Sequence, residues 1–389
     1  MPSTPSRPYI GGQAVLEGVM MRAPTSFSVV VRRRDGSLHV RERAMHDGPR
    51  GAAKWPLLRG IATLVESLRL GSEALRFSAE HFEQDLEAAE KASAPSTGPG
   101  LGVLGALGLS LVAQLTRADG EGPAGTSTGA SGGAAPAETK STGGRSWVML
   151  AVAIAFFVAL PQAVAATLNR LLHLGLEVQS APFQAMTGVL KLAVVIGYLV
   201  AIRRIPEIRR VFQYHGAEHK TISTYEAGEA LLVENARRKT TMHPRCGTTF
   251  LVMVALVSIL VFIFVGAALP RIHTGSAALD NVVFFFEKLP FLPFLVAITF
   301  ELQRFFSRYC TRGPLRALLV PGFLVQKITT AEPDDAQLEV ALASLRVTLF
   351  RETQGGGAGT TEEDVAFPSY EALLAAPRLR VDASAARAA

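Results

Sequence analysis

Four long apolar runs set the terms for this chain. Trp147 to Leu168 carries no charged residue over about 22 positions, enough to cross a hydrocarbon layer about 30 Å thick. Phe250 to Leu269 is equally free of charge. Met186 to Ile202 is shorter and carries Lys191 near its start, a side chain long enough to snorkel to the interface. Val282 to Phe300 contains Glu287, Lys288, Pro290 and Pro293. A charge at the centre of a span costs about 2.5–3.5 kcal/mol, and here the charged pair lies toward one end. Leu101 to Leu115 is also apolar, but it is short and broken by Gly102, Gly105 and Gly108. It reads as a loose or surface-lying segment rather than a fifth span.

Charge supports the same division. Charged residues make up 19% of the chain, against roughly a quarter in a soluble domain, and the deficit sits in the apolar runs. The formal net charge is +6. Nucleic-acid binders share that sign, but here the basic residues crowd the ends of apolar runs, so nucleic acid is not an expected partner and a lipid bilayer is. The stretch from Arg203 to Thr249 carries nine Lys and Arg residues, among them Arg203, Arg204, Arg209, Arg210 and Lys220. The connections Asn169–Ala185 and Arg271–Asn281 hold one each, Arg170 and Arg271. The positive-inside rule places the basic stretch in the cytoplasm, and four spans place both termini there too. The start of the chain has no apolar core of a signal peptide. Cys246 and Cys310 do not make a disulfide framework.

The expected fold is mainly α: a polytopic membrane protein of about four transmembrane helices, with a small cytosolic β-hairpin and amphipathic helices. Residues 8–90 form an N-terminal cytosolic or interfacial unit. In it Ser28–Arg34 and Ser37–Arg41 flank Asp35-Gly36, a signal for a two-residue type I′ hairpin. From Trp55 the apolar spacing turns helical. Residues 92–146 are a low-complexity linker around the short apolar segment. A first transmembrane pair (147–202) and a second (250–301) bracket the cytosolic loop 203–249. Residues 302–351 form a cytosolic helical region in which Pro333, Asp334 and Asp335 open an amphipathic helix with the stripe Leu338, Leu342, Leu345 and Leu349. Residues 352–389 read as a disordered tail, with a short helix around Tyr370–Ala375.

The chemistry concentrates in the cytosolic loop. His215-Gly216-Ala217-Glu218-His219 sets two imidazoles one helical turn apart, about 6 Å along the axis, where both can reach one ion. Glu218 lies between them, where a base for a metal-activated water is expected, and H-x-x-E-H is the inverzincin spacing. The alternative is a polar histidine pair that hydrogen-bonds phosphates, headgroups or neighbouring loops. Glu226 stands about 10 Å further along the helix, too far to share the ion, and Gly228 ends that helix. A third ligand must come from elsewhere. His243-Pro244-Arg245-Cys246-Gly247-Thr248-Thr249 offers His243 and Cys246, both competent zinc ligands. It reads equally well as a helix-entry turn with a packed cysteine. In Gly11–Arg22, Glu17 is a candidate acid/base or ligand, or else the ion-pair partner of Arg22. Gln326, Lys327, Thr329 and Thr330 suit an anion contact or helix capping.

These segments together resemble the YqhQ-like family of uncharacterised bacterial membrane proteins. The resemblance rests on GGQAVLEGVMMR (11–22), PLLRGIATLVESLRLGSEALRFSAE (56–80), RRVFQYHGAEHKTISTYEAGE (209–229), HPRCGTTF (243–250) and PGFLVQKITTAEPDDAQLEVALASL (321–345). The segment Gln184–Lys191 departs from the acidic-glycine pattern usual there. The resemblance implies a multi-pass protein of the bacterial inner membrane and a metal-dependent enzyme whose site includes His215, Glu218, His219, His243, Cys246 and Glu17. The expected function is therefore a metal-dependent hydrolase at the cytosolic face, with Glu218 and Glu17 catalytic. Its expected ligands are His215, His219, His243 and Cys246, and its cofactor a divalent metal of the zinc type. The competing reading is a non-enzymatic membrane scaffold or assembly factor docking a cytosolic partner. Beyond the bilayer, the expected partners are a substrate or protein of unspecified chemistry and a second copy of the chain.

Overall fold

The computed structural model describes residues 8–45, 55, 58–92, 155–270, 274–310, 313–353 and 363–376. The linker around Leu101–Leu115 and the first residues of the Trp147 run lie outside them.

Four strands run up and down in chain order: β1 (Gly11–Val15), β2 (Gly18–Arg22), β3 (Ser26–Arg32) and β4 (Leu38–Ala44). β5 (Glu363–Phe367) returns from the far end of the chain and pairs antiparallel with β4, Leu38 opposite Phe367. The sheet order is β1-β2-β3-β4-β5. The expected single hairpin is thus one step of a five-stranded meander. Its turn is longer than the Asp35-Gly36 signal implied. The last β3–β4 ladder pair is Arg32 with Leu38; beyond it the Arg33 amide donates to Ser37 O at 2.9 Å and closes the turn, while the Arg33 side chain bonds Asp85 Oδ1 at 2.7 Å. Gly36 takes the positive φ of +87°, and Asp35 Oδ1 accepts from the Ser37 amide.

Both faces of the sheet are covered, so β3 is buried along nearly its whole length. Phe27, Val29 and Val31 point to one side and pack on Leu70, Ala74 and Phe77 of α1 (Leu58–Ala92). Ser26 and Ser28 point to the other side, toward Ser344 and Thr348. The helices after α1, in chain order, are α2 (Leu160–Leu171), α3 (Ala181–Ile202), α4 (Pro206–Glu226), α5 (Val233–Arg237), α6 (Gly247–Ala268), α7 (Ala277–Lys288), α8 (Leu292–Tyr309), α9 (Val320–Thr329), α10 (Asp335–Thr353) and α11 (Tyr370–Ala375). A π-helical turn, Ala155–Ala159, precedes α2.

α10 is the central helix of the polar half. Asp334 and Gln337 bond each other's backbone amides at 2.8 and 3.0 Å, a reciprocal cap that starts it. Ser26 Oγ donates to Thr348 O and Ser28 Oγ to Ser344 O, both at 2.9 Å. α4 packs on the opposite side. Leu338, Leu342 and Leu345 are buried as expected, but so are Val340, Ala341, Ala343, Ser344 and Val347. The amphipathic cytosolic helix is therefore corrected to an enclosed one. Its small residues let sheet and helix approach from two sides. The tail is corrected in part: β5 was not expected, whereas the short helix expected around Tyr370–Ala375 is α11, and Phe367, Tyr370 and Leu373 lie in the main core.

The apolar half is helical. α3, of 22 residues, and the continuous stretch Val282–Phe306, of 25, are long and apolar enough to cross a membrane. A shorter apolar stretch, Val252–Gly266, lies within α6. Four spans were expected; two helices of that length and composition occur among the described residues. Pro290 and Pro293 interrupt nothing, because each sits in a first turn where no amide partner is lost. Lys288 donates to Gln184 Oε1 at 2.8 Å and stacks on Phe284. The two halves meet at the ends of these helices: Gln303 of α8 donates to Cys246 O at 3.2 Å, and Arg59 of α1 forms a two-pronged pair with Glu301.

Candidate metal centre

α4 carries the central residues. Pro206 opens it, Glu207 suits its first turn, and it closes at Gly228 with φ +72°. Tyr214 and Ala217 face the core, which leaves His215 and His219 on the neighbouring face, ring centroids 4.4 Å apart. Gly216 lies between them against the chain that follows α9. A Cβ there would stand 2.2 Å from Ala331 O, so only glycine permits the approach.

Both imidazoles are held by backbone. His215 Nδ1 lies 2.9 Å from Thr329 O, and His219 Nδ1 lies 2.5 Å from Thr241 O. A carbonyl only accepts, so both Nδ1 atoms carry the proton and both Nε2 atoms present lone pairs. His215 Nε2 is 3.1 Å from Cys246 Sγ. His219 Nε2 is fully buried without a hydrogen-bond partner. The ligand atoms of His215, His219 and Cys246 lie within 4.8 Å of one another. Metal–nitrogen bonds of about 2.0 Å and metal–sulfur bonds of about 2.3 Å place ligand atoms about 3.5 Å apart, so the three fit around one ion. An orphaned buried lone pair aimed at a thiol and a second imidazole is what such an ion would satisfy. Burial pushes His219 below its ordinary pKa and so keeps it neutral, the ligating form.

The third corner is set by Cys246, the residue just before α6, at the positive end of the helix, a position that favours the thiolate a metal would bind. Gln326 of α9 fixes the loop that delivers it. Gln326 is fully buried; its Oε1 accepts from His243 N at 2.9 Å, and its Nε2 donates to His243 O and Thr249 Oγ1, both at 2.7 Å. Gln326 was expected to contact an anion; it is instead a clamp on the cysteine loop. Thr330 Oγ1 donates to Gln326 O at 2.7 Å, and Lys327 is exposed.

Glu218 is buried beside the ligands. Gly12 of β1 lies so close that an added Cβ would meet Glu218 Cγ at 2.7 Å, and the Ala14 amide donates to the carboxylate. Burial pushes this carboxyl up to about 8, near the range in which a group both takes and gives a proton at neutral pH.

Two other expected site residues stand elsewhere. His243 does not join the three ligands. Its Nδ1 accepts from Arg245 N at 3.4 Å and its Nε2 donates to Glu226 Oε2 at 3.3 Å. Burial holds its pKa down to about 4, so this contact is a hydrogen bond from a neutral ring. Glu17 takes φ +50° in the β1–β2 turn, and its carboxylate accepts from Arg210 Nε and Nη2, both at 2.5 Å, and from Tyr214 Oη at 3.2 Å. It anchors the turn to α4. Arg22 lies 3.5 Å from Glu66 instead of pairing with Glu17. The carbonyls of Thr329 and Thr241 had no sequence signal, since any residue type supplies one. Gly12, inside a glycine pair before Gln13, was legible only as a turn.

The chain matches the family described as "protein of unknown function (DUF1385)" over residues 55–350. It is 29% identical over 350 residues to the "uncharacterized protein YqhQ" of Bacillus subtilis (strain 168), covering 88% of this chain and 92% of that protein. No solved structure matches. The chain belongs to the DUF1385 family of proteins of unknown function.

Proposed function

We propose that this protein is a multi-pass protein of the bacterial inner membrane that binds one divalent metal at its cytosolic face through His215, His219 and Cys246, and uses the site for hydrolysis. One observation carries the reading: two imidazole Nε2 atoms and a thiol converge, while carbonyls fix the imidazoles' opposite nitrogens. A thiolate with two neutral imidazoles is a zinc-type donor set, and three protein ligands leave a position open, as in catalytic sites. When bound, the metal supplies Lewis-acid activation of water or substrate. The chain's own part is orientation and proton handling. Thr329 O and Thr241 O hold the rings in one tautomer, Gln326 holds the cysteine loop, and Glu218 is the group placed to take a proton from water and return it to a leaving group. Glu17 and His243 act on the frame: the first ties the β1–β2 turn to Arg210, the second ties the cysteine loop to Glu226.

The membrane reading rests on α3, the Val282–Phe306 stretch and the basic loop between 203 and 249. Metal analysis of purified protein tests the site. The wild type is expected to hold about one metal per chain, and a His215→Ala/His219→Ala variant almost none. Equal, sub-stoichiometric metal in both sinks the proposal.

A further inference from the structure

Beside the centre lies a surface that the metal ligands do not use. Residues Pro314–Leu319 form a 3-10 turn that runs straight into α9. The buried face of α9 is Gly322, Val325, Gln326 and Thr329. Gly322 crosses the first turn of α6 so closely that a Cβ would lie 2.4 Å from Thr249 Cγ2. The opposite face is apolar and exposed: Leu315 is 52%, Leu318 45% and Leu324 55% accessible. Cations frame it. Arg316 lies 5.9 Å from the Phe323 ring, and Lys327, one turn beyond, is exposed. Arg203, at the end of α3, donates to Lys327 O, which brings the exposed Arg204 to the same corner. Tyr309, at the end of α8, is exposed beneath Arg308, the aromatic-and-basic arrangement of a membrane boundary.

Leucines facing outward, bordered by cations, at the level where an apolar helix ends, match the boundary between acyl chains and headgroups. A water-soluble protein partner on this strip would leave uncovered the apolar sides of α3 and α6, where Val200, Leu260 and Phe264 also face outward. Lipid alone matches both the apolar strip and the cationic frame. We propose that residues 313–327 are an interfacial anchor. It seats Leu315, Leu318 and Leu324 in the bilayer and binds anionic lipid headgroups through Arg204, Arg316 and Lys327. The proposal rests on the reading of α3 and α8 as membrane helices. It has a consequence for the centre: α9 supplies the His215 carbonyl and the Gln326 clamp, so headgroup binding steadies the metal ligands.

The test uses the full chain in lipid nanodiscs of phosphatidylcholine, with or without phosphatidylglycerol, and reads hydrogen–deuterium exchange over 313–330. Phosphatidylglycerol is expected to slow exchange by about fivefold or more, the factor from one engaged cation. Inorganic phosphate added to phosphatidylcholine discs is expected to change nothing. An Arg316→Glu/Lys327→Glu variant is expected to lose the lipid difference, and Arg238→Glu, on an exposed site of the basic loop, to keep it. Equal exchange of the wild type in both discs overturns the anchor while leaving the metal centre untouched, and needs no variant to fold. Slowing by inorganic phosphate alone assigns the cations to a free anion and overturns it too. A chain that does not enter nanodiscs refutes the spanning reading and the anchor together.

Discussion

Gly216→Ala probes the link between packing and ligand geometry. The added Cβ would stand 2.2 Å from Ala331 O, and both groups belong to backbone that cannot rotate away. Ordinary contact needs about 3.2 Å, so α4 and the chain at 329–333 must part by about 1 Å. The His215 Nδ1 bond to Thr329 O, now 2.9 Å, is then stretched past hydrogen-bond range. Overpacking costs about 1–3 kcal/mol, and the better helix propensity of alanine returns about 1, for a net loss of about 0–2 kcal/mol. Losing the partner that orients a metal-binding histidine costs about 10–100-fold in metal affinity. Competition against a chelating dye measures the affinity, and thermal unfolding in detergent measures the stability. Gly197→Ala is the internal control, since nothing lies within 4 Å of a Cβ there. A Gly216→Ala protein that binds zinc as tightly as wild type would refute the argument that this contact sets the centre.

Gln326→Leu removes the clamp on the cysteine loop and strands the His243 amide and carbonyl and the Thr249 hydroxyl; a loss of about 3 kcal/mol is expected, with zinc affinity falling alongside, and an unchanged melting temperature would contradict it. His243 makes stability depend on pH. Its folded pKa, about 4, lies below the unfolded value of 6.5, so between them the unfolded chain binds a proton that the folded chain does not. Stability should fall as pH drops from about 7 to 4, by about 3 kcal/mol from this group, and His243→Gln should show a shallower fall across that window. Glu17→Gln should leave metal content at the wild-type level and cost no more than about 1 kcal/mol, since Arg210 is half exposed. Loss of the metal in that variant would restore Glu17 to the site.

What was legible in the sequence was local. The apolar runs located α3 and α6, and the spacing of His215 and His219 placed both rings on one side of α4. Gly228 marked the end of that helix. Cys246 was one of two equal candidates for the third ligand. Choosing between it and His243 depends on which way a turn points, and that is set by Gln326, about 80 positions further on. β5 was unreadable because a five-residue strand acquires its meaning from β4, more than 300 positions earlier. The burial of α10 on all sides was hidden for the same reason. Val347 and Ala343 look like surface positions until the sheet arrives. Glu287, Lys288 and two prolines argued against a span at 282–300, yet the helix continues there, because Gln184 and Phe284 receive the lysine.

X-ray absorption at the zinc edge of the purified, metal-loaded full chain addresses the ligand assignment most directly. One sulfur at about 2.3 Å together with nitrogen or oxygen neighbours at about 2.0 Å is expected, with loss of the sulfur in Cys246→Ser. A shell without sulfur in the wild-type protein would contradict it.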